Sequence, residues 1–175
     1  PEVENELRVR GVRYEVLNGS QTAAVISEVE SDASNTSVVR LEKPPKIAVY
    51  APDQTLPWDD AVLLALTYAE VPYDMIYDDQ VLAGDLEDYD WLHLHHEDFT
   101  GQYGKFFNYR SAPWYIEQQR QAEISARKHG YRKVSDFKRE VVQVIREYVG
   151  GGGFLFAMCS GTDTFDIALA AQGTD

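Results

Sequence analysis

'GGGFLFAMCSGTDTFD' (Gly151–Asp166) runs an apolar segment straight into a polar, helix-favouring one. 'FLFAM' (Phe154–Met158) has the composition of a buried strand, and the glycines ahead of it break whatever precedes. A helical pattern follows from about Thr162 to Ala171, so Cys159-Ser160-Gly161 falls on a strand-to-helix turn. A sharp turn of this kind lifts its central side chain above the sheet. It also sets that side chain at a helix N-terminus, where the dipole and the N–H groups favour a thiolate. The same amides, the Ser160 N–H first among them, can receive an oxyanion. So tight a turn needs small neighbours, and Ala157 and Gly161 supply them. The competing reading is plain packing, because a lone cysteine at the end of a buried strand is often just a small core residue.

Moving outward, the same alternation of short apolar runs and amphipathic helices repeats. Ser135 is placed to cap a helix carrying Phe137, Val141, Val144, Ile145 and Tyr148 on one face, broken by Gly150–Gly153. Before it, Ser111–His129 reads as a long helix beginning near Pro113 and stopped by Gly130. 'DWLHLH' (Asp90–His95), 'YDMIYD' (Tyr73–Asp78) and 'KIAVYA' (Lys46–Ala51) read as strands. Between the last two, Pro57 opens a helix with Trp58, Ala61, Val62, Ala65, Leu66 and Ala69 at helical spacing. Strands alternating with helices predict an α/β domain, a doubly wound and mostly parallel sheet with helices on both faces. Ligands of such sheets bind beyond the carboxyl ends of the strands, which selects the loops Pro52–Pro57, His95–Lys105 and Cys159–Thr162.

Pro44-Pro45 is the best candidate boundary. Ahead of it, residues 2–10 read as a helix stopped by Gly11, and Val12–Leu17 alternates like a strand. Asn18-Gly19-Ser20 reads as a turn, with Ser20 capping a helix over Gln21–Glu30. A polar loop (Ser31–Ser37) and a strand over Val38–Leu41 complete a partial N-terminal α/β segment, residues 1–43. The chain opens on Pro1 rather than Met, and the second domain, residues 46–175, is expected to continue past its last residue.

'HLHHED' gathers three of the four histidines of the chain, His93, His95 and His96, followed by Glu97 and Asp98, at a strand end. His93 and His95 share one strand face, a plausible chelate that nearby carboxylates could complete. The plainer alternative packs His93 in the sheet and leaves His95 and His96 as hydrogen-bonding loop residues. No second ligand cluster accompanies the motif, so no metal and no cofactor are assigned, and a metal-dependent hydrolase stays an alternative. In a doubly wound sheet this loop lies near Cys159, which makes His96, with Glu97, a candidate base. Three weaker features take ordinary readings. Gly150–Gly153 precedes a strand, so it is a connector rather than a phosphate loop. 'FTGQYGKFFNYR' (Phe99–Arg110) mixes aromatics with Lys105 and Arg110; it fits a packed loop better than a substrate flap. Asp59-Asp60 falls in a first helical turn, where acids oppose the dipole.

With 29 acidic against 16 basic residues the net charge is −13, which argues against a nucleic-acid or anionic-membrane surface. No apolar run reaches the length of a membrane span, and the first residues of this sequence carry no signal-peptide pattern. A soluble protein is expected, with the cytoplasm favoured. One cysteine precludes an internal disulfide.

Ala157-Met158-Cys159-Ser160-Gly161 resembles the Gly-x-Cys-x-Gly elbow of class I glutamine amidotransferase-like domains, with Ala in the place of the first Gly. The order of elements from Lys46 to Gly173 is similar to the flavodoxin-like fold of that superfamily. 'LPWDDAV', 'YDWLHLHHEDFTGQYGKF' and 'FAMCSGTD' are similar to bacterial proteins labelled asparagine synthetase B. The resemblance implies that Cys159 attacks a small-molecule carboxamide such as glutamine to form a thioester, which water resolves. It places Ser160, Gly161 and Gly101 at the oxyanion and substrate site. In that family a His–Glu pair well after the elbow activates the cysteine. This sequence ends sixteen residues past Cys159, so the pair is expected beyond it, with a flanking domain or synthetase partner taking the ammonia. A catalytically silent domain binding a small molecule or a protein is the alternative of a different class.

Overall fold

Ile47–Tyr50 (β1) is buried at every residue and is flanked by a strand on either side. A computed structural model describes residues 2–31, 33–34, 43–101 and 104–174. It divides the chain into two compact units, residues 1–44 and 45–175. The second unit carries a four-stranded, all-parallel sheet of order β2-β1-β3-β4, with β2 (Asp74–Ile76), β3 (Trp91–Leu94) and β4 (Phe154–Ala157) joining β1. Register sets Val49 opposite both Met75 and His93, and Leu94 opposite Ala157.

Alternate residues of β1 feed two separate cores. Ile47 and Val49 pack with Leu63 and Leu66 of α3 (Ala61–Tyr68) and with Met75 and Trp91. Ala48 and Tyr50 face the opposite way, with Leu92 and Leu94. That larger core is closed by α4 (Asp78–Ala83), α6 (Val134–Gly150) and α7 (Cys159–Ala170), which supply Val81, Phe137, Val141, Ile145, Phe165 and Ala168. Helices therefore cover both faces of a parallel sheet, the α/β arrangement read from the sequence. Between β3 and α6 lies α5 (Pro113–Lys128), with Pro113 at its first position, where the missing N–H costs nothing.

The larger core encloses one charged cluster. Lys138 of α6, 5 % exposed, donates to both carboxylate oxygens of Asp78 at 2.8 Å, to Tyr50 at 3.0 Å and to Tyr77 at 3.4 Å. The Tyr50 hydroxyl also donates to Asp78. Burial pushes the Lys138 ammonium towards neutrality, but Tyr77 and Asp78 outweigh it and its affinity for the proton is raised.

The boundaries differ from expectation at several points, each for a local reason. Asn18, not Ser20, caps α2 (Gly19–Val29): its side chain accepts the N–H groups of Ser20 and Gln21, and the Gln21 side chain returns the bond. α6 begins at Val134, so Ser135 is its second residue rather than its cap. α7 starts on Cys159 itself, three residues before the expected Thr162. The Pro57 turn forms a 3-10 segment (Pro57–Asp59), and α3 proper waits for the Asp60 cap. The chain expected to be strand at 'FLFAM' is an edge strand, and Phe154 and Phe156, on the α3 side of the sheet, keep 56 % and 45 % of their surface exposed. In the first unit the described residues form α1 (Glu2–Val9) and α2, and no strand. Val12–Leu17 joins no ladder: Val12, Tyr14 and Val16 are exposed, so its alternation buries nothing. The strand expected at Val38–Leu41 lies outside the described residues, as do Gln102, Tyr103 and the side chain of Lys105.

Candidate active site at the carboxyl ends of β1, β3 and β4

β4 runs into α7 with no intervening loop. Met158 is the N-cap residue, and Cys159 takes φ +53° as the first residue of the helix. Only one other non-glycine among the described residues, Glu70, has positive φ. A left-handed conformation costs an L-residue on the order of 1–2 kcal/mol, so the surrounding structure must hold it. It does so by bonding both sides of the turn to β3 and the loop after it. The Met158 N–H donates to Leu94 O at 3.0 Å, and the Gly161 N–H to His95 O at 2.9 Å. The Ser160 hydroxyl donates to His96 O at 2.9 Å and that of Thr164 to Glu97 O at 2.8 Å. The thiol itself is left exposed.

Gly161 is the residue that permits this closeness. A Cβ there would stand 3.1–3.3 Å from the His95 backbone. Its amide is consumed by His95 O, so it is not an oxyanion donor as expected; its part is to let α7 approach β3. Gly101 has φ +65°, and a Cβ there would come within 2.7–2.8 Å of the Ser135 N and Val134 C atoms, so a side chain is excluded where this loop meets the start of α6. Ser160 keeps its place directly after the cysteine.

The histidines divide by position. His93 is buried on the sheet and stacks on Phe156 at 5.3 Å between ring centroids; burial, then the neighbouring His95, holds its pKa down to about 4. It is a neutral packing residue at neutral pH. His95 continues on the same face and reaches Asp60, whose Oδ2 meets His95 Nε2. Asp60 Oδ1 accepts the Val62 and Leu63 N–H groups at 2.8 and 3.0 Å, capping α3. Burial pushes the Asp60 carboxyl up, but the Leu63 amide, His95 and the Val62 amide outweigh it, and the net shift is downward. His96 is exposed, its ring edge-on to His95 at 4.4 Å. Glu97 turns its carboxylate to the backbone, Oε2 accepting the His95 N–H at 3.0 Å, so it is bound to the loop rather than to the His96 ring. Asp98 caps the following turn through the Thr100 N–H at 2.9 Å.

The donor atoms of Asp60, His95 and His96 all lie within 4.8 Å of one another. Asp60 is the residue that pattern reading missed, since a first-turn acid looks like a dipole acid and a cap, and it is both. The topology held the signal: β3 neighbours β1, so the start of the helix after β1 must lie beside the end of β3. No protein-family model, no curated protein and no solved structure matches the chain.

Proposed function

We propose that this protein is a cysteine-dependent hydrolase of the amidotransferase-like type, built on a flavodoxin-like domain, with Cys159 as the nucleophile. The observation that carries the reading is the backbone of Cys159: an exposed thiol at φ +53° on the first residue of a twelve-residue helix, directly after a strand. The helix dipole and the first-turn amides favour the thiolate. The thiolate attacks the carboxamide carbon, the C–S bond forms, and the oxyanion develops beside the Ser160 N–H, which follows the nucleophile. The C–N bond then breaks as the nitrogen takes the proton that the thiol gave to the base and leaves as ammonia. The base then takes a proton from the water that hydrolyses the thioester to the acid and frees the thiol. His96, exposed and held next to the turn through its own carbonyl, is the base within this chain.

The test is the rate of thiol alkylation against pH, followed by ammonia release from glutamine and simple carboxamides. The expected outcome is alkylation at neutral pH at least about 10-fold faster than in the urea-unfolded chain, with Cys159→Ala abolishing ammonia release. Labelling no faster than in the unfolded chain overturns the reading. A second reading, a catalytically silent binding domain, is favoured by one observation: among the described residues no side chain is hydrogen-bonded to the Cys159 thiol. Ordinary alkylation together with no carboxamide turnover is the result it expects.

A further inference from the structure

We propose that Asp60, His95 and His96 form a binding site for one borderline divalent transition-metal cation, zinc foremost. Two imidazoles and one carboxylate are the donor set such cations take, and three protein ligands with an open position are the pattern of reactive zinc sites. Three donors about 2.0–2.1 Å from a common tetrahedral ion stand about 3.3 Å apart. The three donor atoms here lie within 4.8 Å of one another, with His95 Nε2 already against Asp60 Oδ2.

The ligands are held in advance. Asp60 spends Oδ1 on the Val62 and Leu63 amides, which fixes the carboxylate and aims Oδ2 at His95. The His95 carbonyl is held by the Gly161 N–H and its amide by Glu97, while the His96 carbonyl is held by the Ser160 hydroxyl. Outer bonds of this kind set ligand orientation in metal sites. Among the described residues, two imidazole nitrogens on this face, His95 Nδ1 and His93 Nε2, are buried and have no partner, and His95 is only 1 % exposed. Neither nitrogen belongs to the donor set, which takes His95 through Nε2; they show that the sheet face beside the site is polar.

Position gives an independent argument. The chain leaves β1 for α3 on one face and leaves β3 for α5 and α6, the latter packed on the other. The crevice between the carboxyl ends of β1 and β3 is therefore the topological switch point, where ligands of open parallel sheets bind. Asp60 comes from one side of that crevice, His95 and His96 from the other. His96 is exposed, so the remaining coordination position opens to solvent.

Cys159 is not among the donors, so the site stands whether or not the thiol is a nucleophile. It does compete for His96, which as a ligand cannot also serve as a base. The full chain, purified without a histidine tag and stripped with a chelator, should bind one zinc ion in a calorimetric titration. His96→Ala, at an exposed position, should weaken zinc binding by at least about 10-fold, and Asp60→Asn, which keeps a capping oxygen, should do the same. Cys159→Ala should bind zinc as the unmodified chain does. The Co²⁺ derivative should show visible d–d bands and no thiolate charge-transfer band. Absence of saturable zinc binding, or unchanged binding by folded His96→Ala, overturns the site while leaving the alkylation test of Cys159 intact. A thiolate band overturns the three-donor set.

Discussion

At Cys159 the backbone occupies a conformation that costs an L-residue on the order of 1–2 kcal/mol and costs glycine almost nothing. Cys159→Gly is therefore expected to raise stability by about 1 kcal/mol in urea unfolding, while Cys159→Ala, which keeps the Cβ, gains nothing comparable. Two residues later the sign reverses. Gly161→Ala drives a Cβ to 3.1–3.3 Å from the His95 backbone, which cannot rotate away as a flexible side chain would. A loss of about 1–3 kcal/mol is expected, with weakened protection of the α7 start in hydrogen exchange. Both residues were legible in Ala157-Met158-Cys159-Ser160-Gly161, because a tight strand-to-helix turn demands small neighbours. What Gly161 does was not legible, since the contact that consumes its amide comes from His95, just after β3 and more than sixty residues away. Asp60 was hidden for the same reason: its cap is local and readable, and its bond to His95 spans 35 residues.

Among the elements, α6 shows what periodicity reads and what it does not. Phe137, Val141 and Ile145 stand on the buried face as their spacing predicts. Lys138 lies on that face too, and no hydrophobic pattern would put a lysine there. It is placed by Asp78 at the start of α4 and by Tyr50 at the end of β1. Lys138→Met is expected to cost about 3–5 kcal/mol, because it strands the Asp78 carboxylate in the core. Combining it with Asp78→Asn should recover part of that loss, the measure being the coupling in a double-mutant cycle of urea midpoints. The four strands of the second unit were legible as short apolar runs. α4 was not, being six residues with too few turns to declare a period.

On the scale of the molecule, every residue of both hydrophobic cores falls between 47 and 169, and the described residues of 1–44 supply none. Residues 45–175 alone are expected to unfold cooperatively within a few degrees of the full chain in a calorimetric scan. A peptide of residues 1–44 should show only marginal helix by circular dichroism, since its helices of eight and eleven residues bury no side chain. The parallel α/β layering was legible because strands and helices alternate at regular spacing; the order of the strands follows from pairing, which no local pattern encodes. β1, finally, is a wall shared by two rooms. Its odd residues line one core and its even residues the other, with β2 and β3 bonded along its two edges. Neither room can be opened without that wall. The two cores should therefore melt in one step, and the last amide protons lost to deuterium should be those of Ala48, Val49 and Tyr50.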